Sequence, residues 1–353
     1  MKASRVTCPN AGCDLQGRVL AGNIALHGYS KVKSGRRRRY RCKLCGVTFG
    51  ATSGTPYKRL QHSMRRFDRV AALSVEGVSK SAIARLEGVA WNTVARWLER
   101  AAGVAKAFNE RRTLGIELIE LQLDELSTPL QSRKRKSWVF AGIEVWSRLW
   151  LGTRVGPRTY RNTIRFLRSV TSAGSLGGLP LITTDGFKFY APVIRRVFSG
   201  RCLLGQVIKK VRKNRVVRIG TTSVIGSDDE IADALELSED STQLNTSFIE
   251  RLNLTIRQGS AFLRRRSPCH ARRRRTLADH LELLRCHYNF GRPHRSLRFG
   301  SVTRTPAMQA GIATRVLRFR DVFRAGVATV RFTVVGWASP GYHRGGAAVL
   351  TAA

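Results

Sequence analysis

The spacing of hydrophobic positions changes along the chain, and each change predicts a different element. Over residues 66–100, Phe67, Val70, Ala71 and Val75 recur at steps of three and four, which predicts an amphipathic helix that Gly77 ends. Ser79 is placed to cap a short helix with Ile83 and Leu86 facing inward, and Glu87, Gly88 and Val89 supply a tight turn. A further helix runs over about residues 90–100 with Val94, Trp97 and Leu98 as its inner face, followed by a polar helical connector near 103–115. The period falls to two at residues 117–126, where Ile119, Leu121 and Leu123 alternate with Glu120, Gln122 and Asp124. Residues 137–146 and 149–155 read as the next two strands, and the three make an antiparallel meander. Helical spacing returns over 160–170 through Ile164, Phe166 and Leu167. Residues 179–184 then read as a buried strand ending at Asp185 and Gly186. A last helix over 245–258, with Thr246 or Ser247 as its cap, turns Phe248, Ile249, Leu252 and Ile256 to one side.

This order of three strands, a helix, a strand and a later helix resembles the RNase H-like fold. It puts Asp124 on the first strand, Asp185 at the end of the fourth and Glu250 on a helix that can pack beside them. Three carboxylates converging in that way can hold two Mg2+ ions about 3.5 to 4 Å apart, one serving the attacking oxygen of a phosphodiester and the other the leaving oxygen. Asn253 and Arg257, at i+3 and i+7 from Glu250, share its helix face and can orient the carboxylate or touch phosphate. Each acid also has an ordinary explanation: Asp124 as a solvent-facing strand residue, Asp185 as the start of an Asp-Gly turn, and Glu250 as a first-turn acid favoured by the helix dipole. With 23 acidic residues in the chain, spacing alone does not choose between the two.

Composition narrows the class of partner. The 353 residues carry 63 Lys and Arg against 23 Asp and Glu, a net charge of +40, while 42% are hydrophobic, enough to build real cores. The positive charge lies in runs at 36–39, 133–136, 209–213, 264–266 and 272–275, interleaved with periodic apolar segments, whereas acids gather at 228–240. That layout predicts a folded body with a long basic surface that releases counterions from a nucleic-acid backbone. No apolar run reaches the about 18 residues of a membrane span, since the best candidate, 138–150, contains Glu144 and Arg148. The start of the chain shows no apolar signal core before Cys8, and the expected location is cytoplasmic and nucleoid-associated.

Seven cysteines in such a chain argue for thiols, not disulfides. Cys8 and Cys13 form one knuckle and Cys42 and Cys45 another, and two such knuckles can place four thiolates around a structural Zn2+. The segment between them is longer than usual and contains His27, a conceivable substitute ligand. Cys202, Cys269 and Cys286 are scattered and read as ordinary buried thiols. Arg36, Arg37, Arg38 and Arg39 lie directly beside the second knuckle, which suits phosphate contact. The short helix, glycine turn and following helix match a helix-turn-helix, whose second helix would project Trp91, Asn92, Thr93 and Arg96 toward the major groove.

The local words carry a resemblance. Leu121-Gln122-Leu123-Asp124-Glu125-Leu126, Thr184-Asp185-Gly186-Phe187 and Phe248-Ile249-Glu250-Arg251-Leu252-Asn253 resemble the three acidic motifs of bacterial insertion-sequence DDE transposases of the insertion-sequence-one type. Gly88 to Val94 resembles the helix-turn-helix of that family, Tyr40 to Gly46 its zinc ribbon, and Tyr288 to His294 a segment that often follows the catalytic glutamate. The likeness covers about residues 5–325 in matching order.

The resemblance implies an α+β, multidomain chain: a zinc ribbon over 1–60, a helix-turn-helix domain over 61–112, an RNase H-like catalytic domain over 113–300 and a C-terminal tail over 301–353. It implies Asp124, Asp185 and Glu250 as ligands of Mg2+ or Mn2+, Zn2+ in the ribbon, double-stranded DNA as partner, and a homodimer or larger synaptic complex. Glu125 points to the opposite strand face and is left out. Departures are the segment Ser127 to Leu130, where Pro129 is expected to shorten the strand, the long Asp185 to Glu250 interval, and the Gly/Ala/Val-rich end. The alternative function is a sequence-specific DNA-binding protein or repressor without catalysis, derived from a transposase.

Overall fold

The computed structural model describes residues 6–18, 20–32, 35–175, 177–212 and 215–325. The Gly/Ala/Val-rich end expected to be a tail lies, from 326 on, outside the described residues. A small antiparallel sheet comes first, made of β1 (Ile24–Val32), β2 (Gly35–Cys42) and β3 (Thr48–Gly50). Three helices follow, α1 (Met64–Val75), α2 (Lys80–Glu87) and α3 (Trp91–Arg112). The remaining elements are β4 (Ile116–Glu117), β5 (Glu120–Leu130), β6 (Ser132–Glu144), β7 (Trp150–Gly156), α4 (Tyr160–Thr171), β8 (Gly174–Ser175), β9 (Leu181–Asp185) and α5 (Tyr190–Val197). After them come β10 (Leu203–Arg212), β11 (Arg215–Ile225), α6 (Asp228–Glu236), α7 (Ser247–Gln258), α8 (Arg274–Cys286), α9 (Pro306–Gln309) and α10 (Phe319–Ala325).

The large sheet has the order β11-β10-β9-β5-β6-β7. β5, β6 and β7 form the expected antiparallel meander, while β9 pairs with β5 and β10 in parallel, so the sheet is mixed and consistent with an RNase H-like domain. Helices cover both of its faces. Leu121, Leu123, Phe140 and Ile182 pack on one side against α4 and α5, and Leu126, Val139, Ala141 and Ile143 pack on the other against α7 and α8. This double cover explains why the polar positions of β5 are not solvent-facing: Gln122 is wholly buried and Glu120 nearly so. Glu120 accepts from the Ser238 and Ser241 hydroxyls, and Asp240 forms a two-pronged ion pair with Arg148. The end of the acidic stretch is therefore folded back onto the sheet, where it delivers the chain to α7.

Pro129 does not shorten β5. The strand continues to Leu130 in a long hairpin with β6, whose start moves back from the expected residue 137 to Ser132. β9 has ended by then and a single parallel bridge, Leu130 with Ala271, takes over that side of β5, so Pro129 sits off the regular ladder and beside a register shift, a place where a missing N–H costs little.

The helical segment matches its expected inner faces at Phe67, Val70, Ala71, Val75, Ile83, Val94, Trp97 and Leu98, all buried. Leu86 is the exception, 62% exposed, because α2 turns Glu87 inward instead to pair with Arg69. Ser79 caps α2 as expected, and Gly88 closes it with a left-handed φ of 59°. Gly77 has φ 77°, and a Cβ there would come within 2.3 Å of the Gln258 carbonyl at the end of α7, so this break admits no side chain. The connector expected at 103–115 is instead the second half of α3, which runs unbroken to Arg112. Ala101, Ala102, Ala105 and Phe108 bury a continuous stripe in the core shared with α8, which outweighs the roughly 1 kcal/mol that Gly103 costs a helix. α10 closes this core, with Phe323 against Tyr57 and Phe67.

α8 continues into a wider turn at His287–Gly291 that carries the expected Tyr288-Asn289 word. Asn289 is fully buried, and its amide both accepts from the Trp150 backbone N–H at 2.9 Å and donates to the Trp150 carbonyl at 3.0 Å. One side chain thus supplies the ladder partners that the edge strand β7 otherwise lacks. Asn289→Ala leaves both backbone groups buried and unpaired, so urea unfolding should show a loss of about 2 to 4 kcal/mol; a loss below about 1 kcal/mol contradicts this role.

Candidate active site

The four front cysteines converge. Their sulfurs all lie within 4.8 Å of one another, with Cys8 to Cys45 at 3.6 Å and Cys13 to Cys42 at 3.9 Å. A tetrahedral Zn2+ with bonds of about 2.3 Å sets its sulfurs about 3.8 Å apart, so the donors and their spacing fit that ion. The Asn23 amide donates to Cys42 at 3.2 Å, and the Val47 backbone N–H, followed by Asn10, lowers Cys45 to about 6, toward the thiolate a metal needs. His27 stands exposed on β1, outside the group. Cys202 and Cys286 are buried and Cys269 half-buried.

The acids converge at the end of a ladder. β5 and β9 pair in parallel from Glu120 and Leu181 to Leu123 and Thr184, so the next residue on each strand is Asp124 and Asp185. Asp124 accepts from the Glu125 backbone N–H and, through its second oxygen, from the Asn253 amide, both at 2.7 Å. Asp185 accepts from the Phe187 N–H at 3.0 Å, so the Asp-Gly turn is present as well.

α7 is fixed to the same strand. The Gln122 side-chain Oε1 accepts from the backbone N–H groups of Phe248 and Ile249 at 3.0 and 3.1 Å, satisfying two orphan donors of the helix start. Thr246 caps no backbone group; its hydroxyl donates to Glu250 at 2.7 Å. Asn253 reaches Asp124 and not Glu250, and Arg257 donates to the Leu263 carbonyl at 3.3 Å.

Glu250 lines the same cleft as Asp124 and Asp185, about 730 Å3 in volume, but its carboxylate is held by Lys209 and Thr246. The third acid drawn close to the two aspartates is Glu125: its oxygen lies within 4.8 Å of theirs. Glu125 does leave β5 on the opposite face, among the residues around Tyr190, whose hydroxyl donates to it at 2.8 Å. It still reaches the pair because Asp185 lies past the end of the ladder, where both faces are accessible, and because Arg158 contacts Glu125 and Asp185 together. Arg158, in the β7 to α4 loop, stacks over Phe187 and Trp138 at 4.0 and 4.7 Å. No motif in the sequence links this loop arginine, or Lys209, to the acids.

Burial first, then Asp185 and Glu250, pushes Asp124 up to about 6, against its hydrogen bond from the Glu125 N–H. Burial and Asp185 push Glu125 up to about 7. Burial raises Glu250 too, but Lys209 and Thr246 outweigh it and hold this carboxyl below its ordinary value. Clustered carboxyl oxygens are the hard donors that divalent Mg2+ and Mn2+ take, so the residues fit such an ion.

Of the positions expected to meet DNA, Arg36, Arg37 and Arg38 are exposed on β2, while Arg39 is half-buried and bonded to Thr48. Trp91, Asn92 and Arg96 are exposed at the start of α3 and Thr93 is half-buried. No described helix is long and apolar enough to cross a membrane.

No protein-family model and no curated protein matches this chain. Among solved structures it is similar to the cryo-EM structure of the piggyBac transposase synaptic complex with hairpin DNA, at 8% identity and a TM-score of 0.33, over 74% of this chain and 69% of that one. A likeness of that size is too slight to bear on the chemistry of the cleft.

Two outcomes test these centres. Purified protein should hold one Zn2+ by elemental analysis, and Cys42→Ser should lose it together with the near-ultraviolet signal of Tyr40; retained zinc contradicts the four-sulfur centre. Asp124 is protonated below its raised pKa and ligates only when charged, so Mn2+ affinity by calorimetry should rise as pH increases from about 5 to 7, with proton release on binding that is largest at the low end and falls away toward 7. An affinity flat over that range contradicts the site.

Proposed function

We propose that this chain is a DDE-type transposase of the insertion-sequence-one type, which binds the terminal repeats of a mobile element and cuts and joins DNA strands with Mg2+ or Mn2+. The observation that carries the proposal is the pairing of Asp124 and Asp185 one residue beyond a parallel ladder, with Glu250 across the same cleft on a helix anchored to the same strand.

Asp124, Asp185 and Glu250 are the metal ligands in this reading, and bound Mg2+ supplies positive charge to the attacking and leaving oxygens of the phosphodiester. The chain's own residues do the rest. Asn253 holds Asp124 in one rotamer, and Arg158, Lys188 and Lys209 line the cleft as cations that can receive a phosphate backbone. Lys209 pairs with Glu250, and a phosphate group competing for Lys209 would free that carboxylate to serve as a ligand. The four-cysteine module is a zinc ribbon presenting Arg36 to Arg39. α2 and α3 form a helix-turn-helix presenting Trp91, Asn92, Thr93 and Arg96 to the major groove. The same proposal includes the division at 60, 112 and 300 and a homodimer, since two element ends must be handled together.

A second function, DNA binding without catalysis, is favoured by one observation: Lys209 already pairs with Glu250, and Arg158 with Glu125 and Asp185. One assay separates the two. Labelled duplexes taken from the DNA flanking this gene, incubated with the full chain and Mg2+ or Mn2+, should be nicked, and Asp124→Asn should remove the nicks while leaving binding intact. Nicking that survives Asp124→Asn refutes the assigned site, and binding without nicking supports the second function.

A further inference from the structure

The β10 to β11 hairpin is longer than the sheet it belongs to. The last pair between β10 and β9 is Val207 with Asp185, and β10 continues from Ile208 to Arg212 with β11 as its only ladder partner among the described residues. At about 3.3 Å per residue, this two-stranded ribbon overhangs the strand ends that carry the acids by about 17 Å. Ile208 and Lys209 form part of the wall of the acidic cleft.

Its side chains do not suit an ordinary solvated hairpin. Lys209, Lys210, Arg212 and Arg218 stand among large apolar groups that are left open: Ile208 is 44% exposed, Val217 60% and Ile219 61%. Ile219 pairs with Lys209, the residue that reaches Glu250, so its side chain leaves the ribbon on the cleft side. The register shifts between Lys210 and Val211, which leaves Val217 as an extra residue of β11, and such a bulge aims a side chain out of the regular ladder. Isolated exposed apolar residues need no explanation, but three on one basic ribbon beside a cleft do.

A two-stranded ribbon fits a DNA groove, cations hold it to the flanking phosphates, and isoleucine-type side chains pushed between base steps unstack them. We propose that the β10 to β11 ribbon is a wedge: it grips DNA lying across the cleft through Lys210, Arg212 and Arg218, and uses Val217 and Ile219 to part the bases beside the scissile phosphate. The ligand is a DNA end with unpaired bases. This rests on the DNA-cutting reading of the cleft, and it adds a structure-specific step that the acids do not require.

The test compares two probes of one sequence, a fully paired duplex and a forked duplex with splayed ends, by fluorescence anisotropy with the full chain in Ca2+. A fork spares the protein the cost of unstacking, so it should bind about tenfold tighter. The double variant Val217→Ser, Ile219→Ser changes only exposed side chains and should bring the two affinities together while paired-duplex binding stays as it was. Lys210→Ala with Arg212→Ala should weaken both probes and flatten the salt dependence. An equal preference for the fork in the double serine variant, or no preference in the parent chain, overturns the wedge. Asp124→Asn keeps the parent's fork preference here, so failure of the catalytic assignment, seen as nicking that survives that substitution, is told apart from failure of the wedge.

Discussion

The parallel ladder between β5 and β9 fixes where the acidic cleft of this molecule lies, because it stops one residue before an aspartate on each strand. Backbone pairing determines the separation of neighbouring strands to within a fraction of an ångström, so the two carboxylates are placed by the most rigid part of the sheet and not by loops. The same strand also positions α7, which carries Glu250. Gln122, two residues before Asp124, accepts from the first free N–H groups of α7, and Asn253 from the next turn of that helix donates to Asp124 itself. α7 is tied to β5 at two heights, and Glu250 lies between the ties.

Burying acids this close together is costly in the folded chain: burial first, and then the neighbouring carboxylates, raise Asp124 and Glu125. A net charge of +40 supplies the counterweight locally: Arg158 spans Glu125 and Asp185, and Lys209 holds Glu250. The pairs that Asp185 and Glu250 make are partly open to water, so each is worth little by itself and can be exchanged for a metal ion or a phosphate at small cost, whereas the Glu125 carboxylate is buried against Arg158. A site held by exchangeable cations is suited to a polyanionic substrate that brings metal with it.

The sequence made much of this legible where the signal was local. Helical periodicity located Phe67, Val70, Val94 and Trp97 on inner faces, alternation located Leu121 and Leu123, and knuckle spacing brought out the four cysteines. What it hid was long-range. Leu86 and Glu87 exchange places because Arg69 on another helix attracts the acid. The helix at Trp91 runs on through Gly103 because α8, far along the chain, offers a face for its alanines. Pro129 is harmless because β9 has already ended. Strand alternation, which excludes Glu125, is right about its face but blind to where the neighbouring strand stops. Arg158 and Lys209 had no local mark at all, since their roles depend on a loop and a ribbon that only the fold brings to the acids.

The central claim, that Asp124 and Asp185 share a divalent ion at the end of the β5 to β9 ladder, is tested most directly by a crystal structure of the full chain with Mn2+ and a DNA duplex, using manganese anomalous scattering. The expected result is an anomalous peak within about 2.5 Å of carboxylate oxygens of both Asp124 and Asp185, with the Lys209 to Glu250 contact broken. A duplex bound in the cleft with no peak there, or a peak held by Glu125 without Asp124, would contradict it.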